Sequence, residues 1–146
     1  MIHRAVIDTN VLVAGLRSRH GTSFQLLQLL GDPRWHPCVS VAVALEYEDV
    51  LKRDFMQTII GASDVDQLLD YLFGVADLIK IPDLIEIQLR VRPALRDPDD
   101  DRILELAARA GATVVTFNTR DFAGSEAYGV PVVRPLEFLR QIGELR

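Results

Sequence analysis

A chain of 146 residues, 49% apolar and 25% charged, has material for an ordinary core and is expected to fold as one domain over residues 1–146, which excludes a disordered polypeptide. A net charge of −5, from 16 basic and 21 acidic residues, argues against a basic nucleic-acid binder that grips phosphates by counterion release. Cys38 is the one cysteine, so an internal disulfide and a Cys-rich zinc site are excluded; with Asp8 so early and every apolar run short, a cytoplasmic protein without signal peptide or membrane contact is expected.

Short β-like runs alternate with longer helical ones along the chain, the pattern of an α/β fold with a parallel sheet. Residues 4–7 form an apolar strand that ends in Asp8-Thr9-Asn10. Arg17, Arg19 and His20 follow as a small basic cluster, either a solvated loop or a phosphate contact. The spacing of Phe24, Leu27 and Leu30 predicts a helix over 22–30, capped by Thr22 or Ser23 and stopped by Gly31-Asp32-Pro33. A weak strand over 36–39 leads to Ser40, an N-cap for a helix over 41–52 with Val43, Tyr47, Val50 and Leu51 on one face. Ser63 opens the next helix, whose stripe is Val65, Leu68, Leu69, Leu72, Phe73 and Ala76. That stripe suits core packing better than a dimer surface. A strand over 78–81 is closed by Pro82-Asp83, and a short helix over 84–91 precedes Pro93. After an aspartate cluster, a helix over 103–109 ends at Gly111, and residues 113–116 are a strand β-branched throughout. Asn118 and Asp121 lie just past it. Residues 130–133 suit an edge strand because Pro131 cannot donate to a central ladder, and Pro135 starts a last helix through Phe138 and Leu139.

The run Arg96-Asp97-Pro98-Asp99-Asp100-Asp101-Arg102 carries more negative charge than a helix start requires. An N-cap and a first-turn acid each contribute about 1 kcal/mol, which accounts for Asp99 as a cap and Asp101 as a dipole-favoured residue. Further adjacent acids repel unless solvated or offset by a hard cation such as Mg²⁺ or Mn²⁺. Asp8, Asn118 and Asp121 follow strands, and the cluster opens a helix, so all fall where open α/β sheets gather ligands. Glu46 stands beside the apolar face of its helix, with Val43 three residues before it and Val50 four after, and is placed to point inward. Taken singly, each has a plain structural role: Asp8 and Asn118 in turns, Glu46 on a solvated helix, Asp97 before Pro98.

Taken in order, they resemble a family. Asp8-Thr9-Asn10 after a hydrophobic strand, Leu45-Glu46-Tyr47 on the Ser40 helix, Asp97-Pro98-Asp99-Asp100 at a helix entry, and Thr116-Phe117-Asn118-Thr119-Arg120-Asp121-Phe122 resemble the PIN-domain ribonucleases, and most of all the PIN-family toxins of bacterial toxin–antitoxin pairs. The resemblance implies a three-layer α/β/α fold with a central, mostly parallel sheet. It further implies metal-dependent hydrolysis of RNA with Mg²⁺ or Mn²⁺ held by Asp8, Glu46 and Asp100, with Asp97 assisting. Where relatives carry Thr-x-Asp this chain has Asn118, which leaves Asp121 as the fourth acid. Thr116 and Asn10 become residues that orient Asp8. A homodimer and a cognate antitoxin are the implied partners. A receiver-like phosphotransfer domain is a rival α/β reading, but it needs a lysine near its aspartate, and Lys52 ends a helix while Lys80 falls within a strand. A PIN-like module that binds RNA or protein without cutting is the second rival.

Overall fold

The computed structural model describes residues 2–53, 61–81 and 98–145. Its five strands are β1 (His3–Ile7), β2 (Trp35–Val39), β3 (Asp77–Leu78), β4 (Thr113–Val115) and β5 (Val132–Val133). Six helices flank them among the described residues: α1 (Thr9–Arg17), α2 (Thr22–Gln28), α3 (Val41–Leu51), α4 (Ala62–Val75), α5 (Pro98–Ala110) and α6 (Pro135–Gln141). The strands make one parallel sheet in the order β3-β2-β1-β4-β5, the three-layer α/β/α architecture that the sequence pattern implies. Parallel strands covered on both faces are apolar throughout, and Ala5, Val6 and Ile7 of β1 are all fully buried.

The sheet order fixes where a site can form. The chain leaves β1 towards β2 and β3, then crosses back to the other side of β1 to form β4. Crossovers therefore diverge between β1 and β4, and the crevice at the carboxyl ends of those two strands is the topological switch point. Asp8 and Thr116 are the first residues beyond them.

Several elements depart from the sequence expectation. Helix α1 was not expected, because Asp8-Thr9-Asn10 has the composition of a turn; yet Val11, Leu12 and Gly15 are buried on one helical stripe. Gly15 permits α2 to cross closely, since a Cβ there would stand 2.4 Å from Leu27 Cδ1 and 3.3 Å from the Ser23 carbonyl carbon. Helix α2 is capped by Gly21, not Thr22 or Ser23, and Ser23 is buried. It ends two residues early, which frees the Leu29 carbonyl to accept from Trp35 Nε1 at 2.9 Å; the Trp35 ring packs edge-on against Phe138 of α6. Helix α4 begins at Ala62 with Gly61 as its cap, one residue ahead of Ser63. Val65, Leu69 and Leu72 of its stripe are buried in the core, with Leu68 and Phe73 packed beside them. Strand β3 is Asp77–Leu78 rather than 78–81; a single further bond, from Ile79 N–H to the Val39 carbonyl (2.8 Å), continues the ladder.

Other expectations hold. Ser40 Oγ accepts from Val43 N–H at 3.2 Å and caps α3. Gly111, at φ +64°, turns the chain out of α5 in a conformation that other residues adopt at a cost. Strand β5 lies at the sheet edge, where Pro131 contributes its carbonyl to Val114 N–H (2.9 Å) and its missing donor is not needed. Pro135 is the first residue of α6. The expected helix over 84–91 and Asp97 fall outside the described residues.

Candidate active site

Asp8 leaves β1 with its N–H still bonded to the Val115 carbonyl (2.9 Å), so its backbone is held by the sheet. It occupies the N-cap position of α1, but its side chain makes no capping bond. Its Oδ2 accepts instead from Thr116 Oγ1, at 2.7 Å. Thr116 is fully buried, and its oxygen in turn accepts from Asn10 Nδ2 (3.4 Å) and Asn118 N–H (3.0 Å). Asn10 Oδ1 lies 3.5 Å from Phe117 N, closing the network. Two strand ends and the first turn of α1 thus fix one carboxylate at the switch point.

Glu46 approaches from the middle of α3. The Tyr47 hydroxyl, fully buried, donates to the Ile7 carbonyl and ties α3 to the end of β1 beside Asp8. Burial is also what chiefly raises the Tyr47 phenol. Glu46 itself is half-buried, and among the described residues its Oε2 is enclosed without a hydrogen-bond partner. Its carboxyl is pushed up to about 7, first by burial, then by the charge of Asp99, by hydrogen bonding with Asp99 and by the charge of Asp8; the Thr9 hydroxyl works the other way. Three acids from three elements therefore share one region: Asp8 after β1, Glu46 on α3 and Asp99 on α5.

The placement of Asp99 corrects the expectation that it is a plain N-cap. Helix α5 already begins at Pro98, so Asp99, Asp100 and Asp101 all lie within its first turn. Proline favours the first helical position, and Pro98 was the sequence signal for this. Asp99 Oδ1 accepts from Arg102 Nη1 at 3.1 Å, and together with Glu46, Asp49, Ala42 and Leu45 this pair lines an open cavity of about 340 Å³. Asp100 is partly buried and heads the stripe Ile103, Leu104 and Ala107, which is fully buried against the sheet. Asp101, expected as a dipole-favoured first-turn acid, does lie in the first turn but is only 4% exposed, and Glu105 one turn on is buried with it.

Residues 4–120 match the family model described as PIN domain. The chain belongs to the PIN-domain family. Three solved structures share the fold of this PIN domain. VapBC2 from Rickettsia felis, bound to a DNA fragment from its promoter, is 16% identical with a TM-score of 0.55, covering 88% of this chain and 96% of that one. FitAB bound to an IR36 DNA fragment is 19% identical with a TM-score of 0.62, covering 90% and 94%. FitAcB from Neisseria gonorrhoeae is 20% identical with a TM-score of 0.59, covering 90% and 98%. No similar sequence is found among curated proteins.

The expected fourth acid of the PIN domain follows β4. Asp121 lies exposed in a 3₁₀ turn over Thr119–Phe122, anchored by its N–H to the Asn118 carbonyl (3.0 Å). Among the described residues its carboxylate makes no hydrogen bond or ion pair, and Asn118 is likewise exposed. The basic cluster does not join the site. Arg17 ends α1, about 12 Å along the helix axis from Thr9, and Arg19 and His20 follow it exposed. Lys52 pairs with Asp66 at 3.4 Å, so the lysine a receiver-like site requires is turned elsewhere.

The donor set suits a hard cation. Among the described residues no three His, Cys, Asp or Glu side chains converge closely enough to encage an ion. The acids instead form an open arrangement of carboxylate oxygens, and Mg²⁺ favours one or two carboxylates with several retained waters over a protein cage. Glu46, crowded by two like charges and with one oxygen enclosed, is the group that such a cation would relieve. No helix among the described residues is long and apolar enough to cross a membrane.

Proposed function

We propose that this PIN domain is a Mg²⁺- or Mn²⁺-dependent endoribonuclease that hydrolyses RNA phosphodiester bonds, and that it acts in the cytoplasm as the toxin of a toxin–antitoxin pair. The observation that carries this reading is Glu46, driven up to about 7 by burial and by the neighbouring Asp99 and Asp8. Three acids retained at the switch point are a liability to an apo fold and an asset to a metal site. Asp8 and Asp100 would hold the metal, with Glu46 as a ligand that takes the proton of the attacking water and Asp121 as a water-orienting acid. Bound there, the cation neutralises the phosphoryl oxygens and lowers the pKa of a coordinated water. Thr116 and Asn10 hold Asp8 in place, and Asn118 N–H fixes the Thr116 hydroxyl that does so. Asp97 would assist from the same helix entry.

Purified protein is expected to cut single-stranded RNA with Mn²⁺ or Mg²⁺ present, and EDTA in excess over the metal should remove the activity fully and reversibly. No cleavage with Mn²⁺, together with no metal binding by calorimetry, overturns the nuclease reading. RNA binding without cleavage would favour the non-catalytic alternative, for which the exposed Asn118 and Asp121 are the supporting observation.

The solved structures of similar fold are VapBC2, FitAB and FitAcB, the first two bound to DNA fragments, and this chain carries a surface suited to a small partner protein. Val41, Leu45 and Leu78 are 67%, 60% and 63% exposed and, with Val39, Ala44 and Phe73, line an apolar groove of about 240 Å³ beside α3. Leu45 also lines the cavity that holds Glu46 and Asp99, so an antitoxin segment seated in the groove would adjoin that cavity. The chain is expected to copurify with its antitoxin. Val41→Glu combined with Leu78→Glu should weaken that complex at least about tenfold while leaving RNA cleavage by the free protein unchanged. Undiminished affinity would remove the groove from the interface. A homodimer is the expected assembly, to be checked by light scattering.

A further inference from the structure

We propose that Arg134 is a substrate-positioning residue: it binds a backbone phosphate of the single-stranded RNA beside the bond that is cut. The inference begins with strand register. Ile7 stands opposite Val115, and Val115 opposite Val133, so the next residues, Asp8, Thr116 and Arg134, are level across the carboxyl rim of β1, β4 and β5. With neighbouring strands about 4.8 Å apart, the Arg134 backbone sits about 10 Å from that of Asp8. One long side chain bridges much of that separation.

The guanidinium is held rather than free to sweep. Its Cζ lies 5.4 Å from the centre of the Phe117 ring, and its Nη1 donates to the Phe117 carbonyl at 3.0 Å. Phe117 is fixed in turn, following Thr116 directly and bonding Asn10 through its N–H. The cation is thus tied to the network that holds Asp8. This uses one of five guanidinium N–H groups and leaves the others to take a ligand. Arg134 is exposed, and among the described residues it forms no ion pair although acids outnumber bases in the chain; the nearby Glu137 carboxylate accepts from the Arg134 backbone N–H (3.4 Å). An anchored, unneutralised guanidinium on the rim of an acidic site is matched by a polyanion, and its planar fork fits two phosphate oxygens. In a chain of net charge −5 such a contact offsets the repulsion that the catalytic acids impose on the strand.

The proposal rests on the nuclease reading for its substrate, and its test separates the two. Binding of a fluorescently labelled single-stranded RNA is measured with Mg²⁺ over a range of salt in the Asp8→Asn background, and cleavage kinetics in the otherwise native chain. Arg134→Met, which keeps an apolar stem on Phe117, should weaken binding about three- to tenfold and lower the slope of log affinity against log salt by about 0.7. KM should rise correspondingly with kcat and the melting temperature unchanged, and Arg134→Lys should restore the salt slope. Unaltered RNA affinity at every salt concentration, or a lowered melting temperature with affinity intact, overturns the proposal and leaves Arg134 a structural clamp on Phe117. A native chain that binds RNA through Arg134 without cutting it upholds the phosphate contact and sinks the nuclease, and with it the placing of that contact beside a bond that is cut.

Discussion

Asp8→Asn should reduce RNA cleavage by about a thousandfold or more while the protein remains folded. The size follows from what the residue is asked to do: withdrawing a metal-held charge stabilisation of several kcal/mol from the transition state costs roughly a factor of ten per 1.4 kcal/mol. The retained fold follows from its contacts. Asp8 makes no capping bond to α1, its N–H is paired with Val115, and its side chain accepts from Thr116 Oγ1, a bond that the amide oxygen of asparagine can also accept. Near-ultraviolet circular dichroism and the melting temperature should therefore stay close to native. The same loss is expected for Asp100→Asn. Asp99→Asn provides the contrast, because Asp99 is already engaged by Arg102 and sits beside Glu46. Its removal should cost less than about tenfold in rate. If Asp8→Asn retains activity within a factor of ten, Asp8 is not a metal ligand; if Asp99→Asn and Asp100→Asn exchange places, Asp99 is the third acid.

The difference between these two aspartates shows where the sequence was legible and where it was not. Strand composition and periodicity located β1, β2 and β4, and the residues past their ends followed with them, so the positions of Asp8 and Thr116 could be derived before any contact was known. The inward lean of Glu46 was likewise readable from its apolar neighbours at helical spacing. Helix α1 was hidden because its first turn is composed of residues that also make turns, and what decides for a helix is the burial of Val11, Leu12 and Gly15 against distant elements. Asp99 was misjudged for a different reason. Its role depends on whether α5 starts one residue before it or at it, and Pro98, a residue that favours the first helical position, was the signal for the earlier start. Arg134 carried no sequence signal at all. Its significance lies in a register across three strands, a nonlocal property that no run of neighbouring residues encodes.

Without divalent metal, Glu46 should make the folded protein lose stability as pH rises from about 4.5 through 7. The folded-state carboxyl titrates at about 7 against an ordinary 4.5, so the native protein holds the proton more tightly than the unfolded chain does. The stabilisation is complete below the unfolded value and is gone once pH exceeds the folded one. A shift of this size corresponds to about 3 kcal/mol, and partial solvent access reduces the expected effect to about 2 kcal/mol. Other carboxylates contribute in the opposite sense, so the quantity to measure is the difference between the native chain and Glu46→Gln, by denaturant unfolding across pH 4.5–8. Glu46→Gln keeps the shape, removes the charge that Asp8 and Asp99 repel, and should be the more stable of the two at pH 8 without metal. Mn²⁺ should reverse that order, because it binds the deprotonated carboxylate and stabilises only the fold that presents it. The same substitution should cost at least about a hundredfold in cleavage, since it removes both a ligand and the base for the attacking water. A native chain whose metal-free stability tracks that of Glu46→Gln at every pH would mean that Glu46 is solvated, and the crowded carboxylate on which the metal assignment stands would be lost with it.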